Sequence, residues 1–204
     1  MSDSGLYSYS KGFCLVLSGP SGAGKTTIGR LLTNQDSSVV QSISVTTRKM
    51  RPDEKDGEDY HFTNPDDFKL KISQGKFLEW VEVYDGIFYG TLHESINKII
   101  SAGKIALMVI DVRGGKVVKK LLPDATLVFL IPPSIDVLGE RLKKRGFDTE
   151  EEINNRVNQA QAELRCLPDY DYAVENNNDK QQITVDAIFG ILGAERCRIS
   201  RWEH

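Results

Sequence analysis

The chain is poor in cysteine: Cys14, Cys166 and Cys197 are the only ones among 204 residues, and none has a Cys-x-x-Cys spacing. This odd, scattered set argues against a disulfide framework and against a zinc site, and it is typical of a reducing compartment. Uninterrupted apolar runs also stay well short of the ~20 residues that a membrane-spanning helix needs. Because the polar N-terminal stretch lacks the order of a secretion signal, we expect a cytoplasmic protein with no membrane partner.

A strong charge of either sign is absent as well. The formal net charge is −3 and the isoelectric point is near 5.7, so the chain as a whole has no attraction for nucleic acid. Any anion must therefore be bound by locally placed cations. The apolar content of 40% is ample for a buried core, and the length suits one domain with small insertions.

Short apolar runs alternate with segments of helical periodicity, which is the pattern of parallel strands joined by crossover helices. The apolar runs predict strands at 13–17, 39–43, 105–110, 126–131 and 172–174. The periodic segments predict helices at about 24–34, 92–102, 114–121, 134–144, 150–166 and 179–195. The expected fold class is therefore α/β, a three-layer sandwich with a central parallel sheet.

Two stretches interrupt this alternation. Residues 44–91 are polar, with a helix predicted to begin at Asn64-Pro65 and a strand at 77–85, so we expect an inserted lobe of short strands plus a helix. A second insertion, at about 141–156, contains a capping box in which Glu152 follows Thr149 by three residues. Gly146 precedes this box and either ends a helix or serves as a hinge.

The segment GPSGAGKT follows the first predicted strand and matches G-x-x-x-x-G-K-[ST] in full. Such a loop turns backbone N–H groups toward phosphate oxygens, and the N-terminus of the next helix adds positive potential. Lys25 is expected to reach the β- and γ-phosphates, and Thr26 to ligate Mg²⁺. The alternative is a glycine-rich turn without a ligand. The motif indicates a nucleoside triphosphate, and its predicted site comprises Gly19, Pro20, Ser21, Gly22, Ala23, Gly24, Lys25, Thr26 and Thr27.

Asp111 directly follows the apolar run 105–110. Ligands gather at the carboxyl ends of parallel strands, so this carboxylate suits Mg²⁺ held through water, or the second substrate. The alternative is a helix cap for 114–121.

Further motifs occur in a specific order: SVTTR..R..E.DG.DY.F at 44–62, FLEW at 77–80, FYGT at 88–91, RL..RG...EEEI..R at 141–156 and DY.VEN at 171–176. Together with the P-loop, they resemble guanylate kinases from about residue 12 to 195. The resemblance implies a single P-loop nucleoside monophosphate kinase domain. Its core would be 12–43, 92–140 and 157–195, with a GMP-binding lobe at 44–91 and a helical lid at 141–156. The N-terminal tail at 1–11, which we expect to be flexible, and the C-terminal tail at 196–204 fall outside the resemblance and are assigned no role.

The same resemblance implies the acceptor site. Arginine forks and phenolic hydroxyls give several directed donors to a phosphate dianion, and hydroxyls can donate to the guanine O6. The phosphate of GMP would be held by Arg48, Arg51, Tyr60 and Tyr89, and the rest of the GMP site would include Ser44, Glu79, Gly90, Thr91 and Asp111. The remaining charges of the 46–62 stretch are expected to serve loop solvation and turns, with Glu54 undecided.

Glu79 would read the base. Guanine presents N1–H and the N2 amine side by side, so one carboxylate accepts both, whereas adenine would leave it facing an acceptor. Such an unpaired buried group costs about 1–3 kcal/mol, roughly tenfold to hundredfold in discrimination. Without the surrounding motifs, Glu79 would be interpreted as a surface carboxylate on an amphipathic strand.

The resemblance also gives roles to the lid and to one late loop. Arg141, Arg145 and Arg156 would swing over the phosphates and stabilise the transferring phosphoryl group; the alternative is three solvated arginines. Asn176 would lie near the adenine of ATP, although ENNND also suits a plain turn. One departure is Val109, which stands where many guanylate kinases have the first acid of a D-x-D pattern.

These observations predict ATP-dependent phosphorylation of GMP, or dGMP, with Mg²⁺ as the cofactor. Two alternatives remain open. A guanylate-kinase-like protein-interaction module would use the acceptor cleft for acidic or phosphorylated peptides, although such modules typically lose the lysine-bearing P-loop that this chain retains. A kinase of the same fold would act on another phosphorylated acceptor.

Overall fold

The computed structural model describes residues 8–9, 12–84, 86–145 and 149–203. In these ranges the strands are β1 (Ser8–Tyr9), β2 (Cys14–Ser18), β3 (Val39–Gln41), β4 (Val45–Thr46), β5 (His61–Phe62), β6 (Phe77–Tyr84), β7 (Ile87–Leu92), β8 (Ile105–Val109), β9 (Thr126–Ile131), β10 (Tyr172–Glu175) and β11 (Trp202–Glu203). The helices are α1 (Lys25–Gln35), α2 (Pro65–Ser73), α3 (His93–Ser101), α4 (Val112–Leu121), α5 (Ile135–Arg145), α6 (Glu150–Leu164) and α7 (Gln181–Arg196). None of these helices is long and apolar enough to cross a membrane.

The central sheet has five strands in the order β10-β9-β2-β8-β3, all parallel. Both of its faces are buried, as the apolar strands require. Along β2, Leu15 and Leu17 belong to the apolar cluster that includes residues of α1 and α7, whereas Cys14 and Val16 belong to the cluster with residues of α3 and α4. This alternation gives helix, sheet and helix layers and confirms the predicted fold class. The ends of the predicted strands and helices lie within two residues of the observed ends.

A second sheet, in the order β5-β4-β7-β6, forms most of the stretch between β3 and α3. Its strands β6 and β7 are antiparallel, and β4 joins them as a short third strand. Phe68 of α2 is fully buried beneath this sheet and stacks on Phe77 and Phe88, with ring centroids 4.3 and 5.3 Å apart. The lobe therefore has an aromatic core of its own, separate from that of the central sheet.

Two predicted helix starts are confirmed. Asn64 caps α2 by accepting the N–H of Asp67, and Pro65 occupies the first helical position, where no N–H is needed. Thr149 and Glu152 form the capping box at the start of α6. Each cap satisfies N–H groups that a helix leaves unpaired at its first turn.

The two ends of the described chain meet. Strand β1 pairs antiparallel with β11, so Ser8 and Tyr9 belong to a sheet although the sequence suggested only a tail. The buried Arg201 donates to Glu195 Oε2 at 2.7 Å, and its guanidinium lies 4.0 Å from the Phe13 ring centroid. A buried charge needs such partners, and these come from distant parts of the chain, which is why local patterns did not reveal them.

Candidate active site

The loop between β2 and α1 follows a path that requires glycine. Gly19 and Gly24 have φ values of 138° and 95°, which residues with a Cβ rarely adopt. A Cβ on Gly19 would also lie 2.5 Å from the carbonyl oxygen of Leu130. The loop leads into the N-terminus of α1, a favourable place for an anion, as the P-loop pattern predicts.

Lys25 is the first residue of α1 and turns back over this loop. Its Nζ donates to the carbonyl oxygens of Gly19 at 2.6 Å and of Pro20 at 3.0 Å. Thr26 and Thr27 follow with exposed side chains, and Lys25 and Thr26 line a cleft of about 460 Å³. A phosphate in the loop would offer the ammonium group a charged acceptor in place of two carbonyls.

Asn176 fastens the P-loop to the end of β10. Its buried side chain donates through Nδ2 to the Ala23 carbonyl at 2.7 Å, and its Oδ1 accepts from the Thr184 hydroxyl at 3.3 Å. A Cβ on Gly24 would lie 2.4 Å from Nδ2, so the glycine makes room for this contact. The amide is thus engaged by the protein itself, and its predicted contact with adenine stays a prediction.

Arg141 on α5 contacts the same loop. Its Nη2 donates to the Asn176 carbonyl at 2.8 Å, and its Nη1 lies 3.4 and 3.3 Å from the carbonyl oxygens of Gly22 and Ala23. Asn178, which the sequence analysis did not single out, accepts from both Nε and Nη2. Arg141 also lines a separate cavity of about 220 Å³, with Gly22, Gly24, Thr27, Lys144, Asn176 and Gln181.

Of the other two lid arginines, the structure describes the side chain of only Arg156. Arg156 on α6 donates to the Ser21 hydroxyl at 3.3 Å and lines the 460 Å³ cleft. Arg141 and Arg156 therefore contact the P-loop from two different helices. Arg145 ends α5, but its side chain and Gly146 lie outside the described residues.

The predicted phosphate clamp is a preassembled network centred on Arg48. Its Nε donates to the Tyr89 hydroxyl at 3.0 Å, and its Nη2 donates to both Glu54 oxygens, at 2.7 and 3.0 Å. The guanidinium carbon lies 5.5 Å from the Tyr60 ring centroid. Glu54, Tyr89 and Tyr60 thus hold the plane of the guanidinium, so that little side-chain entropy is lost when an anion binds.

Glu54 is the acid that organises this loop. It accepts the backbone N–H of Arg51 at 2.9 Å, and the Arg51 guanidinium lies 3.9 Å away. Burial is the largest single influence and opposes ionisation, but the hydrogen bonds from Arg48 and from the Arg51 N–H, together with the charges of both arginines, outweigh it and lower the pKa of Glu54. Asp59 accepts the Lys55 N–H, as expected for turn chemistry, and also pairs with Arg30 of α1, which no local motif predicted.

Three polar side chains of the lobe, those of Ser44, Thr91 and Glu79, are joined by hydrogen bonds. The buried Glu79 accepts at Oε1 from the Thr91 hydroxyl at 2.8 Å. Because Thr91 gives its proton to Glu79, the 3.3 Å contact between Ser44 and Thr91 has Ser44 as the donor. Gly90 pairs with Trp80 of β6 and Val45 of β4, which places its backbone between the two strands of the predicted base site.

The environment of Glu79 is apolar for a carboxylate. The pKa of Glu79 is raised to about 7, chiefly by burial and also by the negative Asp111, while the hydrogen bonds with Thr91 oppose this rise. At neutral pH the side chain is thus poised between an acceptor-only carboxylate and a donor. A ligand that offers two N–H groups would favour the ionised form.

Asp111 performs the capping role that the sequence analysis held as an alternative. It is the N-cap of α4 and accepts the Gly114 N–H at Oδ1, 2.9 Å away. Its Oδ2 accepts from Arg113 through both Nε and Nη2, at 3.0 and 2.7 Å. Arg113 also donates to the Glu82 carbonyl of β6, so this cap joins the core to the lobe.

Glu163 lines the cleft although no sequence motif pointed to it. It lies on α6 at the spacing that shares a helix face with Arg156 and Gln159, and it is 9% exposed. Its Oε1 accepts from Gln159 at 3.0 Å, whereas Oε2 is buried without a hydrogen-bond partner among the described residues. Burial raises the pKa of Glu163 and the nearby Lys25 opposes this rise. The one signal in the sequence was the spacing of three and four residues from Arg156 to Gln159 and Glu163, which places all three on one face of a helix.

The cleft of about 460 Å³ brings most of the predicted residues together. Its lining comes from the P-loop, the lobe, the end of β8 and α6, and includes Gly19, Ser21, Lys25, Thr26, Ser44, Arg48, Arg51, Tyr60, Glu79, Tyr89, Gly90, Val109, Asp111, Arg156 and Glu163. Asn176 and Arg141 lie instead at the separate cavity behind the loop. Val109, the departure from the D-x-D pattern, contributes an apolar wall to the cleft.

Comparisons with known proteins agree with this arrangement. A family model described as guanylate kinase matches residues 11–188. Guanylate kinases of Desulfitobacterium hafniense (strain Y51) and Maricaulis maris (strain MCS10) are 41% and 42% identical to this chain, over 93% and 92% of its length and 94% and 85% of theirs.

Solved structures give the same result. The crystal structure of guanylate kinase from Anaplasma phagocytophilum matches with a TM-score of 0.77 at 32% identity, covering 95% of this chain and 90% of that one. A shikimate kinase from Acinetobacter baumannii, solved with shikimate, matches with a TM-score of 0.51 at 14% identity, which shows the fold alone. With a family model over most of its length and relatives at about 40% identity, this chain belongs to the guanylate kinase family.

Proposed function

We propose that this protein transfers the γ-phosphoryl group of ATP to GMP or dGMP, giving ADP and GDP or dGDP. The observation that carries the proposal is the single cleft in which Lys25 and Thr26 of the P-loop lie with the Arg48 clamp and with Glu79. ATP and GMP would therefore be bound next to each other in one cleft. Because the proposed contacts involve the phosphate and the base, the sugar 2′-hydroxyl is not required.

On the donor side, the chemistry needs positioning and positive charge more than covalent help. The P-loop N–H groups and Lys25 would hold the β- and γ-phosphates, and Arg156 and Arg141 would neutralise the charge that spreads over the transferring group. Both arginines already contact the loop, through Ser21 and through Gly22 and Ala23. Arg145 would join them as the resemblance implies.

On the acceptor side, Arg48, Arg51, Tyr60 and Tyr89 would grip the phosphate of GMP. Two guanidinium groups offset the repulsion between this phosphate and that of ATP, which otherwise keeps the oxygens apart. Glu79 would accept the guanine N1–H and N2 amine, with Ser44 and Thr91 turning their hydroxyls toward O6. Closure of the lobe and lid would exclude water and so suppress hydrolysis of ATP.

The residues present fit Mg²⁺, which prefers hard oxygen ligands and keeps several waters. Thr26 would offer its hydroxyl, and Asp111 its carboxylate through water. The buried Glu163 Oε2, which lacks a partner among the described residues, is a further acceptor for such waters in the same cleft. When bound, the ion would supply positive charge that offsets the charge of the phosphates.

A coupled assay of ADP release tests the proposal directly. With Mg²⁺ and ATP, GMP and dGMP should stimulate ADP release strongly, and AMP, UMP and TMP should not. The reaction without any acceptor measures background hydrolysis. Equal stimulation by all five nucleotides, or none by GMP, would contradict the proposal and favour the interaction-module or other-acceptor alternatives.

The raised pKa of Glu79 gives a pH prediction. Below about pH 7 the carboxyl is protonated and presents a donor to guanine, so kcat/KM for GMP should fall by up to tenfold per pH unit. Above pH 7 the carboxylate accepts both guanine donors and the profile should be flat. The GMP phosphate also titrates near pH 6. Glu79→Gln has no such carboxyl, so between pH 7 and 6 it should keep only the shallower fall that the phosphate causes; a profile as steep as that of the wild type would contradict the assignment.

We also propose that the protein works in the cytoplasm. Cys14, Cys166 and Cys197 are free thiols, which suits a reducing compartment. ATP and GMP would be its small-molecule partners, and Mg²⁺ its cofactor.

A further inference from the structure

Gly114 lies where the first turn of α4 meets the lobe. It is buried at the third position of the helix, and a Cβ on it would lie 2.9 Å from Glu79 Oε2 and 3.4 Å from Glu79 Cδ. Distances below 3.0 Å are essentially never seen for a real Cβ, so either the helix or the carboxylate would have to shift. Glycine is otherwise a poor choice inside a helix, costing about 1 kcal/mol relative to alanine.

The environment of Gly114 is unlike that of other helical glycines in the described part of the chain. A Cβ on Gly190 or Gly193 of α7 would meet nothing within 4 Å. A Cβ on Gly115 would meet the Tyr170 hydroxyl at 2.6 Å, away from the base site. Among the glycines of the described residues, Gly114 is therefore the one at which a Cβ would meet the side chain of Glu79, whereas a Cβ on Gly90 of β7 would meet only its backbone carbonyl.

The helix cannot easily retreat from such a contact. The Gly114 N–H donates to Asp111 Oδ1, and Arg113 ties the same carboxylate to the Glu82 carbonyl of β6. Glu79 Oε2, by contrast, is the end of a flexible side chain. An added methyl group would therefore displace the Glu79 carboxylate, which is also held on its other side by Thr91.

We propose that Gly114 is a specificity-determining positioning residue, because its missing side chain allows the Glu79 carboxylate to sit against the N-terminus of α4 and face the guanine edge. The inference rests on the proposed function, since it concerns the base that the enzyme accepts. Reading two adjacent N–H groups with one carboxylate depends on a defined plane and position, which a methyl group at 2.9 Å would alter.

The test is Gly114→Ala, assayed with GMP and with inosine 5′-monophosphate, which keeps the N1–H and lacks the N2 amine. The wild-type enzyme should prefer GMP. In G114A the GMP-to-IMP ratio of kcat/KM should fall about tenfold, through a raised KM for GMP, while KM for ATP stays within about twofold. The melting temperature should stay within a few degrees of wild type, because alanine favours the helix.

Gly190→Ala is the matched control and should leave all these values unchanged. Glu79→Asp supplies a second readout: it withdraws the carboxylate by one methylene, so it should cost less GMP use in the G114A background than in the wild type. An unchanged GMP-to-IMP ratio, additive effects of the two substitutions, or a G114A protein that fails to fold would overturn the inference. A wild type that does not use GMP would instead overturn the proposed function.

Discussion

Lys25→Met should lower kcat for GMP phosphorylation by about 10³-fold while leaving GMP binding nearly intact. Methionine keeps much of the length of the side chain but removes the charge, so the loop would lose its cation for the β- and γ-phosphates. In the present structure the ammonium group is bound to the carbonyl oxygens of Gly19 and Pro20, at the mouth of the P-loop. Steady-state ADP release and GMP titration by calorimetry would measure the two effects separately.

Lys120→Met is the control for this substitution. Lys120 is an exposed residue of α4 that does not line the cleft, so the same chemical change is made there away from the site. Its activity should match wild type. If Lys25→Met retained more than about a tenth of wild-type kcat, the charge of Lys25 would not be what the transfer depends on.

Arg48→Ala should reduce kcat/KM for GMP by roughly 30-fold to several thousandfold, the equivalent of about 2–5 kcal/mol. The loss has two sources. The guanidinium would no longer reach the acceptor phosphate, and Glu54 and Tyr89 would lose the donor that now bridges them. Glu54 would keep the Arg51 N–H and the more distant Arg51 guanidinium, but its charge would no longer be neutralised by Arg48, which adds repulsion of the incoming phosphate to the lost attraction. Kinetics at saturating ATP would give the value.

Two comparisons separate this effect from a general loss of structure. Lys49→Ala, one residue along, should change kcat/KM for GMP little, because Lys49 is exposed and does not line the cleft. ATP binding by Arg48→Ala, measured by thermal shift with Mg²⁺, should match wild type. A parallel loss of ATP binding would show that the substitution disturbs the core and not the clamp.

The fold was predictable because its signals are local. Apolar runs, a P-loop between strand and helix, and the caps at Asn64 and Thr149 each lie within a few residues, and the structure confirms the elements within two residues. The pairing of β1 with β11 and the burial of Arg201 against Glu195 and Phe13 depend on contacts between distant segments. A single sequence carries no short-range pattern for such contacts.

The site divides in the same way. Which residue types gather there could be read from GPSGAGKT and from the motifs at 44–62 and 77–91, and the cleft contains most of them. The hydrogen-bond partners of these residues could not be predicted from the sequence. Glu54 had no assigned role and is the acid that orients Arg48. The hydrogen bond from Asn176 to the P-loop also had no signal in the sequence, and the contact of Asn176 with adenine stays a prediction.

The sequence by itself determined the elements, their order and the chemistry of the phosphate loop, because helix periodicity, strand runs and glycine at positive φ act over a few neighbouring residues. Only the tertiary structure decided that Glu79 is buried with a pKa of about 7 and that Gly114 leaves room for its carboxylate. It also decided that Asp111 accepts hydrogen bonds from Arg113 and from the first turn of α4. Those properties follow from burial and from which side chains face one another, and both arise when segments far apart in the chain pack together.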